Sequence, residues 1–396
     1  RAHGVVLFNV TLVGFTGSGV VVRDSENVTV SSSTFVGTSS GGFGGGLNAR
    51  DAHGLRVLDS TFTACRAESG GGVALDDTVR AIVSGCTFRR CSATNRGGGI
   101  FVDRGRDAFV RASMFAGAAA ERGGGVYVRE HERFVLEDSS ITNCSATNDG
   151  GGLALSSTDF AAVRNTTFVD VHAAARSGGA IFSDRGEAVE VEDSTFVRGL
   201  APEGGCIYST GTEALTVARC AFTSCDAASG DGGGVLLRSV SAPMVSFSTF
   251  RQCNAERGAG LALDDCACTR VLGCYFSDVA ATLSGGAVNF RDVLEGVLHS
   301  CRFHRAHSMG RGGGVHLDTV VRMDVSSSFF HNCVAAEAGG ALAAIDTTFS
   351  KFVNLSISNS TARERGGGMS FERTDDTNVS RAFISGCTSA GTGGGL

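Results

Sequence analysis

The chain has no tryptophan, 2 prolines, 3 tyrosines and, among 34 basic residues, a single lysine, Lys351. The near-absence of lysine reads as the coding bias of a GC-rich genome. No uninterrupted apolar run approaches the roughly 18 residues that a membrane helix needs, and no signal peptide opens the chain. No segment holds ten residues at helical spacing, which argues against helices. There is no basic excess either: 34 Lys and Arg against 40 Asp and Glu leave a net charge of −6. A phosphate backbone is therefore not an expected partner. What the chain has is 57 glycines, with Val, Phe, Ser and Thr in short runs, the material of strands and turns.

The glycines are periodic. The aliphatic residue after each cluster is Val20, Leu47, Val73, Ile100, Val126, Leu153, Ile181, Ile207, Val235, Leu261, Val288, Val315, Leu342, Met369 and Leu396, in steps of 26 to 28 residues. Such a period marks a solenoid, so 396 residues imply one continuous domain, 1–396, in place of two or three. The chain begins inside a repeat at Arg1 and stops on a repeat boundary at Leu396, and is expected to be an excerpt of a longer protein.

A second landmark precedes each cluster: Phe62, Phe88, Phe115, Ile141, Phe168, Phe196, Phe222, Phe250, Phe276, Phe303, Phe330, Ile357 and Ile384. Small residues lie two positions before it and Val or Leu five before it. These positions cannot share one period-2 strand, so a bend is expected at Asp59, Gly85, Asp138, Asn165, Asp193 and Gly273. Each repeat thus reads as about three short strands separated by turns. A repeat made only of strands, unable to bury its own apolar face, stacks on its copies as a parallel coil, right-handed by the crossover rule. The expected fold is all-β: a right-handed parallel β-helix solenoid of about 14 coils of 26–28 residues, with Phe, Val and small-residue ladders inside. Leucine-rich repeats are rejected, because their Leu/Asn consensus is absent.

Gly178-Gly179-Ala180-Ile181 and Gly285-Gly286-Ala287-Val288, alternating with Phe-x-x-small segments, resemble the repeats of chlamydial-type polymorphic outer membrane proteins. More broadly they are similar to the pectin-lyase-like right-handed β-helices of surface proteins. The resemblance implies a surface-exposed or secreted rod and transfers no catalytic residue. The sequence departs from it three residues after Phe, where Cys65, Cys91, Cys144, Cys225, Cys253, Cys333 and Cys387 replace the family's Asn.

Of 14 cysteines, eleven fall on two repeat ranks and read as small core residues. Stacking places Cys65 above Cys91, Cys225 above Cys253 and Cys274 above Cys301, with parallel Cβ vectors that disfavour bridging. Cys266 and Cys268, off both ranks, are the candidates for a disulfide or a metal, although two cysteines alone are a weak zinc signal. Sequons at Asn9, Asn27, Asn143, Asn165, Asn354, Asn359 and Asn378 mark candidate N-glycosylation sites, expected at corners or outward positions. The alternative is that Asn, Ser and Thr share turns anyway.

The pairs Asp76-Asp77, Asp264-Asp265 and Asp375-Asp376 are the acids a polysaccharide hydrolase or lyase would use, read here as one recurring turn together with Asp103, Asp184 and Asp318. His299, His304, His307, His316 and His331 crowd two coils, with His304 expected to stack on His331; neutral imidazoles there are candidate metal ligands, and the reading preferred is surface residues. Arg96, Arg122, Arg257, Arg311 and Arg365, each just before a glycine cluster, form either a basic stripe for an acidic glycan or a solvated rank. A Thr rank (Thr34, Thr61, Thr87, Thr167, Thr195, Thr249) resembles an ice-binding array but is broken by Met114, Ala221, Tyr275, Arg302 and Phe329.

Coil length leaves no insertion to wall a cleft. The sequence therefore reads as a non-enzymatic structural or adhesive rod of a large extracellular or cell-surface protein, needing no cofactor. Filament building by self-association through open ends at Arg1 and Leu396 is a further reading. The alternative is a carbohydrate-active β-helix that binds or cleaves an acidic polysaccharide.

Overall fold

The computed structural model describes residues 2–396; Arg1, and with it one expected open end, lies outside the described residues. The chain is all-β, a right-handed parallel β-helix of about 14 turns, in two compact units, Arg1–Ala201 and Pro202–Leu396. Within each unit the repeats supply strands to three parallel sheets, the third beginning in chain order at Arg66–Ser69. The glycine sheet holds the strand that follows each cluster and the one after it, which merge in Val73–Ser84 and Val315–Ser326. The phenylalanine sheet holds three-residue strands such as Thr87–Arg89, and the third sheet holds pieces such as Ser145–Ala146.

Register follows the sequence ranks. Val73 pairs with Ile100 and Val235 with Leu261, while Phe62 pairs with Phe88 and Phe276 with Phe303. The Phe rank is a stack of parallel rings inside the coil: Phe62 and Phe88 lie 4.9 Å apart, Phe168 and Phe196 5.0 Å, Phe222 and Phe250 4.7 Å, and Phe303 and Phe330 4.5 Å. Phe115 and Phe276 sit in the same rank, buried like the others. Two positions earlier runs a buried hydroxyl spine. Ser60 Oγ accepts the Ser33 amide at 3.1 Å and donates to the Leu58 carbonyl at 2.7 Å, and Ser113 does the same for Cys86 and Arg111. Ser60 and Ser113 therefore enter the core with their hydroxyls paired, whereas the buried Thr78 and Thr269 hydroxyls, outside this rank, have no partner among the described residues.

The corners are single left-handed residues. The expected bend at Asp59, Gly85, Asp138, Asn165, Asp193 and Gly273 is there, with φ between 43 and 66°. A second such corner, two residues past the aromatic, includes Asn143, Asp170, Asp278 and Asn359. Asn, Asp and Gly suit both, since they reach this region at least cost.

The three glycines of a cluster have different reasons. Gly97 has φ +62°, and a Cβ there would collide with the Ile100 carbonyl. At Gly98 it would meet the Gly124 and Ala119 carbonyls one coil on, and at Gly99 the Phe115 ring at 2.7 Å. Only the second and third places hold other residues, as at Ala259, Ala180, Ala287, Ala341 and Cys206.

Candidate functional site

The cluster turns each coil sharply enough to create a re-entrant outer corner. In Ile100–Arg111 the core takes Ile100 and Val102, so Phe101 and Asp103 face outward, yet they are only 1% and 3% exposed. They are covered because the chain folds back over them: a Cβ on Gly123 would strike that of Tyr127, and one on Gly204 that of Tyr208. In the first unit the floor of this corner is Ala74, Phe101, Tyr127 and Ala154, with Phe182 against them. Phe43 stacks on Phe101 at 5.7 Å, and the Arg96 guanidinium lies 5.5 Å over Tyr127. In the second unit the floor is Tyr208, Leu236, Ala262, Asn289 and His316, and Arg238 covers Tyr208 at 5.8 Å.

Two residues beyond the floor, acids and arginines of successive coils clasp one another. Arg129 takes both oxygens of Asp103 at 2.7 Å, and Arg104 Nη2 reaches Asp76 at 2.6 Å. In the second unit Arg291 takes both oxygens of Asp264 at 2.8 and 2.6 Å, and Arg238 adds a bond at 3.2 Å. Burial alone would raise the Asp264 carboxyl, but these two arginines hold it below its ordinary value. Asp149 and Asp231 go the other way. Burial raises both against the pull of Arg122 and Arg257 respectively.

The same clasp recurs at the outer corners: Arg198 on Asp170 at 2.6 and 2.8 Å, Arg305 on Asp278 at 2.5 and 2.9 Å, and Arg373 on Asp346 at 2.7 and 2.8 Å. Each pair joins residues 27 or 28 apart, one coil to the next. Forked two-bond geometry requires guanidinium. This supplies a structural reason for arginine over lysine that composition did not reveal.

Several sequence expectations shift. Asp375-Asp376 is not at the turn of Asp76-Asp77: Asp76 pairs with Asp103, whereas Asp375 pairs with Thr348, at the following corner. The Arg rank before the glycines is folded against the corner, with Arg122 near Asp149 and Arg257 near Asp231, both at 3.5 to 3.6 Å, so it is no free stripe. His316 is not a surface residue. It is buried, its Nδ1 lies 3.0 Å from Asn289 Oδ1, and burial lowers it to about 4. His304 and His331 do stack, at 5.6 Å.

Cys266 and Cys268 stand as thiols. Cys266 points inward, donating to the Leu237 carbonyl at 3.5 Å, while Cys268, a left-handed residue, is exposed with Sγ 3.9 Å from Glu295, so the two thiols do not meet. The disulfide in the structure joins Cys206 and Cys225, whose Cα atoms are 5.6 Å apart. Cys206 takes the third place of a glycine cluster, where a side chain projects into the core, and Cys225 therefore does not pair with Cys253. Burial pushes the Cys144, Cys253 and Cys333 thiols up to about 12 and leaves these three inert, whereas the neighbouring Cys91 and Cys301 thiols bond to Cys65 and Cys274 and lower them, Cys65 to about 7. No group of three or more metal-ligating side chains occurs among the described residues. All seven sequon asparagines, Asn9, Asn27, Asn143, Asn165, Asn354, Asn359 and Asn378, are exposed, and all but Asn378 are left-handed corner residues.

A family profile described as right handed beta helix region matches residues 1–119, 45–222 and 203–384. No curated protein sequence matches the chain. Among solved structures it is similar to PfbA, a surface adhesin of Streptococcus pneumoniae, with 10% identity, a TM-score of 0.40, and coverage of 90% of this chain and 85% of that one. It is also similar to the periplasmic alginate epimerase AlgG (9% identity, TM-score 0.39, 93% and 78% covered). The A-module of the Azotobacter vinelandii mannuronan C-5 epimerase AlgE4 shows 11% identity and a TM-score of 0.36, with 92% and 91% covered.

Proposed function

The chain belongs to the right-handed β-helix family, and from that premise we propose that it is a non-enzymatic structural or adhesive segment of an extracellular or cell-surface protein. One observation carries this reading: the acids an enzyme would need are spent as cross-coil clasps. Asp103 and Asp264 have both oxygens engaged by Arg129 and Arg291 of the next coil. The Asp264 carboxylate, held below its ordinary value by two arginines, is a poor proton acceptor. We also take the repeats as one continuous domain over 1–396, glycosylated on its corner asparagines where it passes through a eukaryotic secretory pathway, and associating with itself or neighbouring subunits through open strand edges. The test is Asp264→Asn. It is expected to lower the thermal midpoint, and no polyuronate in a panel is expected to be turned over by the wild type. Turnover that Asp264→Asn abolishes while the midpoint stays fixed would defeat the reading.

A second reading, a carbohydrate-active β-helix working on an acidic polysaccharide, is favoured by Asp149 and Asp231. These carboxyls are raised by burial beside an arginine, the combination that proton abstraction next to a uronate carboxylate calls for. Polyuronate cleavage that Asp231→Asn removes would establish it.

A further inference from the structure

The outer face of the phenylalanine sheet is not the same in the two units. In the first, the columns flanking the Phe ladder carry mostly small β-branched residues, Thr61, Thr87, Thr167 and Thr195 on one side and Thr63, Thr142, Val169 and Val197 on the other, with Met114 and Arg89 the large side chains among them. In the second, the same two columns carry Tyr275, Arg302 and Phe329 beside Arg251, His304 and His331. Register is unchanged, with Tyr275 on Arg302 and Arg302 on Phe329, so coil stacking does not require these side chains. Phe329 is 52% exposed. The Arg251 guanidinium lies 5.9 Å over Tyr275, and that of Arg302 5.9 Å over Phe329. No carboxylate stands in either column from Thr249 to Ser358, on a chain whose net charge is −6. At the adjoining corner Asp278 is neutralised by Arg305.

We propose that this face, Arg251, Tyr275, Arg302, His304, Phe329 and His331, binds an acidic glycan chain lying along the coils. The proposal rests on the adhesive reading and names its ligand. Complementarity of charge selects an anion, and flat rings flush with an open sheet suit the apolar faces of sugars. Charge spacing selects among polyanions. Arg251 and Arg302 are two coils apart, about 10 Å at ~4.8 Å per step, which suits a polymer with sparse charges. A nucleic acid strand carries one charge per about 3.4 Å and needs a denser basic track than two arginines.

The experiment is titration of the whole chain with size-defined hyaluronan oligosaccharides and oligogalacturonates, with neutral dextran oligosaccharides and oligo-dT beside them. Binding of an acidic oligosaccharide is expected to weaken at least tenfold, with a flatter salt dependence, in Arg251→Thr/Arg302→Thr. Tyr275→Thr/Phe329→Thr is expected to weaken it without changing the salt slope. Thr stands at these ranks elsewhere in the chain, and the single change Arg302→Gln provides the same reading should a double variant fold poorly. Absence of binding to either acidic glycan, affinities unaltered by both substitutions, or tighter binding of oligo-dT would each overturn the proposal. Turnover dependent on Asp264 would defeat the non-enzymatic reading and leave this binding result standing, so the two failures are separable.

Discussion

At the scale of single residues, the glycine cluster is the most constrained feature, and its three places are not equivalent. Gly97 combines a left-handed backbone with a blocked Cβ position, whereas the rank of Gly99 already accepts alanine at Ala180, Ala287 and Ala341. Gly97→Ala is accordingly expected to cost ~2–4 kcal/mol, from left-handed strain plus displacement of the Ile100 carbonyl, and Gly99→Ala less. Urea unfolding midpoints of the two variants check the order; equal losses would mean that the corner is not what sets the glycine requirement. Buried histidines make a separate prediction about pH. His316 is lowered to about 4 by burial, with Arg311 and Arg257 adding to the effect and Asp318 and Glu337 opposing it, and His131 is lowered for the same reason. The unfolded chain therefore binds these protons first. Their contribution to stability is complete above the ordinary value of 6.5 and is lost as pH falls toward about 4. The urea midpoint should drop between pH 7 and pH 4.5, and His316→Gln should flatten that slope; a slope untouched by the substitution would show that the proton goes elsewhere.

At the scale of strands and ladders, stacking converts one residue's chemistry into a column. Phe250 lies between Phe222 at 4.7 Å and Phe276 at 4.8 Å, so Phe250→Ala removes two ring contacts and is expected to cost ~3–5 kcal/mol by equilibrium unfolding. Under ~1 kcal/mol would contradict an interior ladder. Arg129→Lys keeps the charge on Asp103 but loses the fork, and should fall between wild type and Arg129→Ala in thermal midpoint. The ladders were legible in the sequence because a stacked column demands the same kind of residue at every turn: the Phe rank, the Val rank and the left-handed corner at Asp59 or Gly85 all announce themselves by repetition. The clasps were not. Asp103 finds Arg129 after 26 residues and Asp170 finds Arg198 after 28, so the partners drift with coil length. Nor was the re-entrant corner, because Phe101 and Tyr127 alternate as outward strand residues would, and only the backbone fold covers them. The Cys206–Cys225 bond was hidden for a related reason. In sequence Cys206 is one more small residue in a glycine cluster, and its inward direction follows from a bend that the period alone does not describe.

At the scale of the whole molecule, covalent state is the most direct check. With 14 cysteines and the single Cys206–Cys225 bridge, alkylation of the denatured, unreduced protein should add 12 labels by mass, rising to 14 after reduction. Any other count would displace the inference that the core thiols are structural. Glycosidase treatment of the same sample from its native source should remove mass if the exposed corner asparagines are modified. The direction of the backbone hydrogen bonds carries a mechanical consequence. Gly72 and Val73 both donate to the Gly99 carbonyl of the next coil at 3.0 Å, and the bonds of every sheet in either unit run between coils in this way. Under tension along the coil axis they are pulled apart end-on, a few at a time, instead of being sheared together as a block. A unit held in an optical trap should therefore yield at low force in a sawtooth whose teeth are nearly uniform. Each tooth releases one coil of about 27 residues, roughly 85–95 Å of contour at ~3.3–3.6 Å per residue, less one strand spacing.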